Sequence, residues 1–242
     1  MKEFLILARD SWCNKKDGGR ARCLVHDTNA FYNEDYLGGG GRWCMHGTIE
    51  NLICTFKNDI TPYNALVLQK AKERLYDILK VDIPQILQII NSDLIRICVV
   101  PRAKRETAYR DDQKLFRTTI QQYIKIFHVA DGRIDDGTLD IKRFTDTKTT
   151  HLSRNGNDGG GSGDLPYIGI TKETCTISDD VIGKNILLID DLYTRTVCID
   201  EDCIQALYDK GANKVFFYSI GKTVYRKEIQ QNNIINDETL FF

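Results

Sequence analysis

The chain has 242 residues, of which 42% are hydrophobic and 28% charged, with a formal net charge of -1 at pH 7. That composition supplies a substantial core without help from disulfides or metal and excludes a disordered chain. The near-neutral balance excludes the overall basic field that drives non-specific nucleic-acid binding, while a local basic patch stays compatible with it.

The first apolar run, Phe4 to Ala8, is too short for a secretory leader, and no stretch approaches the ~18 uninterrupted apolar residues a membrane helix needs. A cytoplasmic protein without a membrane partner is therefore expected. Residues 1–60 read as a β-rich extension or hood, with strands at Phe4 to Ala8, Arg22 to Val25 and Thr48 to Phe56. Gly18-Gly19 and Gly38 to Gly41 separate them; four consecutive glycines lose too much backbone entropy on ordering to hold a regular element. Cys13, Cys23, His26 and Cys44 lie in this segment, and Cys23-x-x-His26 has ligand-like spacing. Paired Cys-x-x-Cys motifs are absent and Cys44-x-His46 is an awkward half-site, so reduced thiols are expected rather than zinc.

Residues 61–242 read as one α/β domain. Leu68, Ala71, Leu75, Ile78 and Leu79 recur at helical spacing behind Thr61 as N-cap and Pro62 at the first helical position. A second helical stretch covers Ile83 to Ile90, a buried strand Leu94 to Pro101, and an amphipathic helix roughly Asp112 to Phe127. Thr138 to Phe144 alternates like a strand. The polar tract Thr145 to Pro166 contains the Gly-rich run Asn155 to Gly163; a loop of this length is either a functional lid or a linker. Tyr167 to Thr171, a strand Ile186 to Asp190, a helix of about Asp200 to Lys210, Gly211 and a strand Lys214 to Ile220 follow. Strand, helix, capping glycine and strand in that order predict a parallel, right-handed βαβ unit.

Two aspartates closing an apolar strand put carboxylates at the sheet edge where open α/β folds bind ligands. Carboxylates only accept hydrogen bonds, so Asp190 and Asp191 suit magnesium or a pair of ribose hydroxyls. Tyr193-Thr-Arg-Thr196 adds hydroxyls, a guanidinium and the amides that open a helix, the parts of a phosphate cradle. Gly221-Lys-Thr223 is no P-loop, because the position five residues before Gly221 is Phe216.

Asn185-Ile-Leu-Leu-Ile-Asp-Asp-Leu-Tyr-Thr194 is similar to the phosphoribosyl pyrophosphate signature of type I phosphoribosyltransferases, especially the competence-factor and amidophosphoribosyltransferase-like branch. Glu201 to Leu207, Lys210-Gly-Ala212 and Ser219-Ile-Gly-Lys-Thr223 share the likeness, which covers about residues 64 to 224. The resemblance implies an open sheet of mainly parallel strands flanked by helices. It implies a transferase that binds 5-phosphoribosyl 1-pyrophosphate with magnesium and passes phosphoribose to a nitrogen nucleophile. Asp190 and Asp191 would hold the ribose hydroxyls, with magnesium beside them through the bound ligand, and Tyr193, Thr194, Arg195 and Thr196 would receive the 5′-phosphate. Arg102, Ala103, Lys104 and Arg105 sit where the family has its pyrophosphate loop. Lys148 and His151 fall in the expected mobile loop of about residues 145–166, whose closure would exclude water. A homodimer or a subunit of a complex is the assembly the resemblance suggests. The family continues Thr-Gly-Ala-Thr where this chain has Thr194-Arg-Thr-Val-Cys198, which removes the closest backbone approach to phosphate. A non-catalytic nucleotide-sensing or complex-forming module is therefore the alternative expectation.

Overall fold

The structure is a computed structural model that describes residues 1–60, 62–92, 94–150 and 160–224. In chain order its elements are β1 (Lys2–Ile6), β2 (Trp12–Asn14), β3 (Arg20–Arg22), β4 (Thr28–Tyr36), α1 (Ile49–Lys57), α2 (Ala65–Ile90), β5 (Ile95–Val99), α3 (Leu115–Asp131), β6 (Ile134–Gly137) and β7 (Ile141–Arg143). The chain continues through α4 (Ile170–Thr174), β8 (Cys175–Ile177), β9 (Asn185–Tyr193), α5 (Ile199–Lys210) and β10 (Lys214–Thr223). A six-stranded sheet runs β1-β4-β10-β9-β5-β6, and β2-β3 and β7-β8 form separate antiparallel pairs. Only β1 is antiparallel to its neighbour in the large sheet.

Alternation along β9 shows how the sheet is covered. Leu187 and Ile189 join a core with Leu75, Leu79, Ile83 and Ile120 of α2 and α3, while Ile186 and Leu188 face Ile204 and Leu207 of α5. A strand buried on both faces reads as an unbroken apolar run, as Ile186 to Ile189 does. Gly211, at φ 107, ends α5, and β10 then pairs parallel to β9, as the βαβ pattern predicts.

Residues 1–60 contribute β1 and β4 to the large sheet, with β4 parallel to β10. The expected strand Thr48 to Phe56 is instead helix α1. Ile49, Leu52, Ile53 and Phe56 fall at one helical face and are buried, and Thr48 Oγ1 accepts the Asn51 amide at 3.2 Å as N-cap. The β-branched residues satisfied strand propensity locally, and packing overrode it. The two expected helices after Pro62 are one 26-residue helix, α2, which runs through Pro84. Its cap is Asn64, whose Oδ1 accepts the Val67 amide at 3.0 Å; Thr61 lies outside the described residues. Arg22 to Val25 is strand only at Arg22, and Thr138 to Phe144 only over β7. Asp136-Gly137 closes β6. A Cβ on Gly137 would stand 2.9 Å from both Arg96 and Cys98, so glycine lets β6 close against β5. No described helix is long and apolar enough to cross a membrane.

Candidate functional site

The C-terminal ends of β5 and β9 open on a cavity of about 190 Å³. Asp190, Asp191, Thr194 and Asp200 line it from β9, the following turn and α5; Arg102 and Ala103 line it after β5, and Lys57 and Arg143 close its sides. This is the edge at which a parallel sheet presents ligand groups, because strand ends and helix starts converge there.

Lys57, the last residue of α1, reaches Asp191 with Nζ 2.7 and 3.0 Å from the two carboxylate oxygens. Burial opposes the charge on Lys57, but Asp191 and then Asp190 outweigh it, and the ammonium pKa is raised. Asp190 Oδ1 accepts the Asp191 amide at 2.7 Å. Its own pKa is pushed up to about 7, by burial first and by the charge of Asp191 second. Asp200, 4% exposed in the first turn of α5, lines the cavity with Asp190. Asp200 is raised well above the usual carboxylate range by burial and then by Asp190, and its Oδ1 has no hydrogen-bond partner among the described residues. The acidic side of the cleft is thus a crowded group of carboxyls in which Lys57 bonds Asp191.

Arg143 faces the same cavity from the end of β7. It is 7% exposed; its Nε donates to Arg102 O at 2.6 Å and its Nη1 to Thr174 Oγ1 at 2.5 Å. Among the described residues no carboxylate pairs with it. A guanidinium cannot shed its proton, so this buried charge is compensated only by neutral oxygens and is suited to an incoming anion.

The other residues expected at the site are distributed unevenly. Thr194 lines the cavity with its Oγ1 2.7 Å from Thr223 Oγ1. Tyr193 points away: its hydroxyl donates to Glu201 Oε1 at 2.8 Å and its ring packs 5.1 Å from Phe4. Arg195 is exposed and lies 3.5 Å from Asp10, and Thr196 is exposed beside it. Arg102 lies along the cavity wall, but its guanidinium donates to Lys57 O, Gln113 O and Asp59 and stacks 4.3 Å from the Tyr109 ring centre. Lys104 Nζ donates to Thr147 O and Ser162 O at 2.6 and 2.9 Å, and Arg105 pairs with Asp146 at 3.1 Å. These cations secure the loops around the cleft. Lys148 lines the cavity, and His151 lies outside the described residues.

Of the cysteines weighed for zinc, Cys13 and Cys23 touch with sulfurs 2.7 Å apart, Cys44 is exposed, and the His26 ring packs 5.4 Å from Tyr208. Among the described residues no group of three or more His, Cys, Asp or Glu side chains is arranged to hold a metal.

Sequence reasoning missed Lys57, Arg143 and Asp200. A helical reading of residues 49–57 would have placed Lys57 at a helix end. The alternation Ile141-Lys142-Arg143 puts Arg143 on the buried face, and Asp200-Glu-Asp202 reads as a solvated helix start although all three are buried. The chain matches no model of a known protein family and no curated protein sequence.

Proposed function

We propose that the cleft binds a phosphorylated ribose, 5-phosphoribosyl 1-pyrophosphate with magnesium, and that the protein transfers the phosphoribosyl group to a nitrogen nucleophile with release of pyrophosphate. The observation that carries this reading is Asp190 and Asp191 at the C-terminal end of a parallel strand, opening on a cavity that also receives Thr194 and the start of α5. The carboxylates accept from the ribose hydroxyls. Thr194 and the turn behind it take the 5′-phosphate near the helix start, where amides and dipole favour an anion. Arg143 offers Nη donors to the oxygens of the departing pyrophosphate, stabilising charge as it develops.

No three acidic side chains among the described residues are arranged to hold an ion, and both Asp191 oxygens are bonded to Lys57, so magnesium would stand beside Asp190 and Asp191 only through the bound ligand. The ion would arrive with the ligand and supply neutralisation of the pyrophosphate charge.

Lys57 on Asp191 favours a second reading, a module that binds the nucleotide without catalysis, because the acidic pair is already engaged. The exposed Arg195 and Thr196 point the same way. Calorimetry with magnesium and 5-phosphoribosyl 1-pyrophosphate tests both readings, and absence of binding sinks both. Binding with pyrophosphate release in the presence of candidate amine and base acceptors identifies the transferase; binding without release identifies the module.

A further inference from the structure

The acidic pair on β9 meets a cation from the N-terminal part of the chain. Lys57 is the last residue of α1, and a lysine there ordinarily stays in water near the final carbonyls of its helix. Here its Nζ lies 2.7 and 3.0 Å from the two oxygens of Asp191, with the lysine side chain 25% and the carboxylate 14% exposed. The backbone that carries it is fixed. Asn58 caps α1 at φ 48; Lys57 O accepts Arg102 Nη1 at 3.0 Å, Asn58 O accepts Arg110 Nη2 at 3.0 Å, and Asp59 Oδ1 accepts Arg102 Nη2 at 2.6 Å. The end of α1 is thereby tied to the loop after β5 and to the turn before α3.

A sugar phosphate entering this cleft meets the carboxyls of Asp190, Asp191 and Asp200, which repel its anionic oxygens. Arg102 offers little relief, because its guanidinium is committed to Lys57 O, Gln113 O and Asp59. Lys57 lines the same cavity and is bonded to the acidic pair itself. Each carboxylate oxygen has two acceptor sites, so Asp191 can hold the ammonium and still accept from a ribose hydroxyl. A divalent ion bound directly by Asp191 would have to displace the lysine, since both oxygens already receive it.

We propose that Lys57 is the resident cation of the acidic pair: its ammonium holds Asp191 in place and offsets its charge, so that a sugar phosphate binds without a metal ion held by the protein. The proposal rests on the phosphoribose reading of the cleft and names the residue that lets an acidic site accept an anionic sugar. Lys57 is a positioning residue, acting on the ligand through Asp191. Burial opposes its charge, and the neighbouring Asp191 and Asp190 sustain it. Magnesium carried in by a pyrophosphorylated ligand is compatible with this role, because the oxygens of the ligand hold that ion.

The test is calorimetry of the full chain with ribose 5-phosphate, which carries no pyrophosphate, once in EDTA and once with magnesium. The native protein should bind equally in both buffers, to within about twofold. In EDTA, Lys57→Ala should bind about 10- to 100-fold more weakly. Magnesium should restore part of that loss, because the freed Asp191 oxygens can then take the ion, and Lys57→Arg should retain binding without it. A lysine that merely braced the fold would give a loss that neither magnesium nor arginine mends. Circular dichroism checks that the variants are folded; Lys57→Gln replaces Lys57→Ala if the latter is not, and the comparison of buffers on the native protein needs no variant. Native binding that falls more than about fivefold in EDTA would overturn the proposal, as would Lys57→Ala binding like the native protein in EDTA, or a loss that neither magnesium nor Lys57→Arg restores. Each of those results leaves the phosphoribose reading standing, whereas absence of native binding in both buffers removes that reading and this role together.

Discussion

Replacing Asp190 by Asn should separate the stability of the site from its function. The Asp190 carboxyl stands at about 7 in the folded protein, against about 3.9 in an unfolded chain. The folded state therefore holds more protons than the unfolded state between about pH 4 and pH 7, and stability falls as pH rises across that window. About three units at about 1.4 kcal/mol each sets an upper figure of about 4 kcal/mol lost by pH 8. Solvent in the open cleft screens part of it, which leaves about 2–3 kcal/mol. Asparagine keeps an oxygen that can accept the Asp191 amide, now at 2.7 Å, and removes the charge. Urea unfolding of Asp190→Asn should match the native protein near pH 4 and show a gain of about 2–3 kcal/mol at pH 8, while calorimetric binding of ribose 5-phosphate is lost. A gain of the same size at both pH values, or a loss at pH 8, would refute the reasoning, because neither follows from a carboxylate forced to ionise among other acids.

Lys57→Met removes the cation bonded to Asp191 at 2.7 Å. It should cost about 2–4 kcal/mol at pH 8 and much less at pH 5, where Asp190 carries a proton, as read by urea unfolding at the two pH values. Arg143→Met should weaken binding of inorganic pyrophosphate by about 10- to 100-fold in calorimetry. Stability should hold or rise, since the buried charge removed pairs with no carboxylate among the described residues; unchanged pyrophosphate affinity would take Arg143 out of the site. Gly221→Ala puts a Cβ 2.9 Å from Ile53 of α1 and 3.3 Å from Leu192. It should destabilise by about 1–3 kcal/mol through overpacking, measured by thermal or urea unfolding.

The legible parts of the molecule were those whose local pattern and tertiary role agree. Ile186 to Ile189 is apolar without interruption because helices cover both faces of β9, and Gly211 marks the end of α5 because only glycine takes its conformation cheaply. Residues 49–57 were misread because their β-branched side chains suit a strand as well as the helical face that meets β10. Positive charge at Arg102, Lys104 and Arg105 was visible, but its use was not: their partners Asp59, Thr147, Ser162 and Asp146 lie 41 to 58 residues away in the chain.

The sequence by itself determined an α/β chain with a parallel βαβ unit and two carboxylates at a strand end, since periodicity, apolar runs and capping residues are local properties. Only the tertiary structure decided what stands opposite those carboxylates. Lys57 is 134 residues from Asp191. Arg143 is 7% exposed and pairs with no carboxylate among the described residues; its donors meet Arg102 O and Thr174 Oγ1 instead. Electrostatic neighbours depend on distance in space, and the folded chain alone sets that distance.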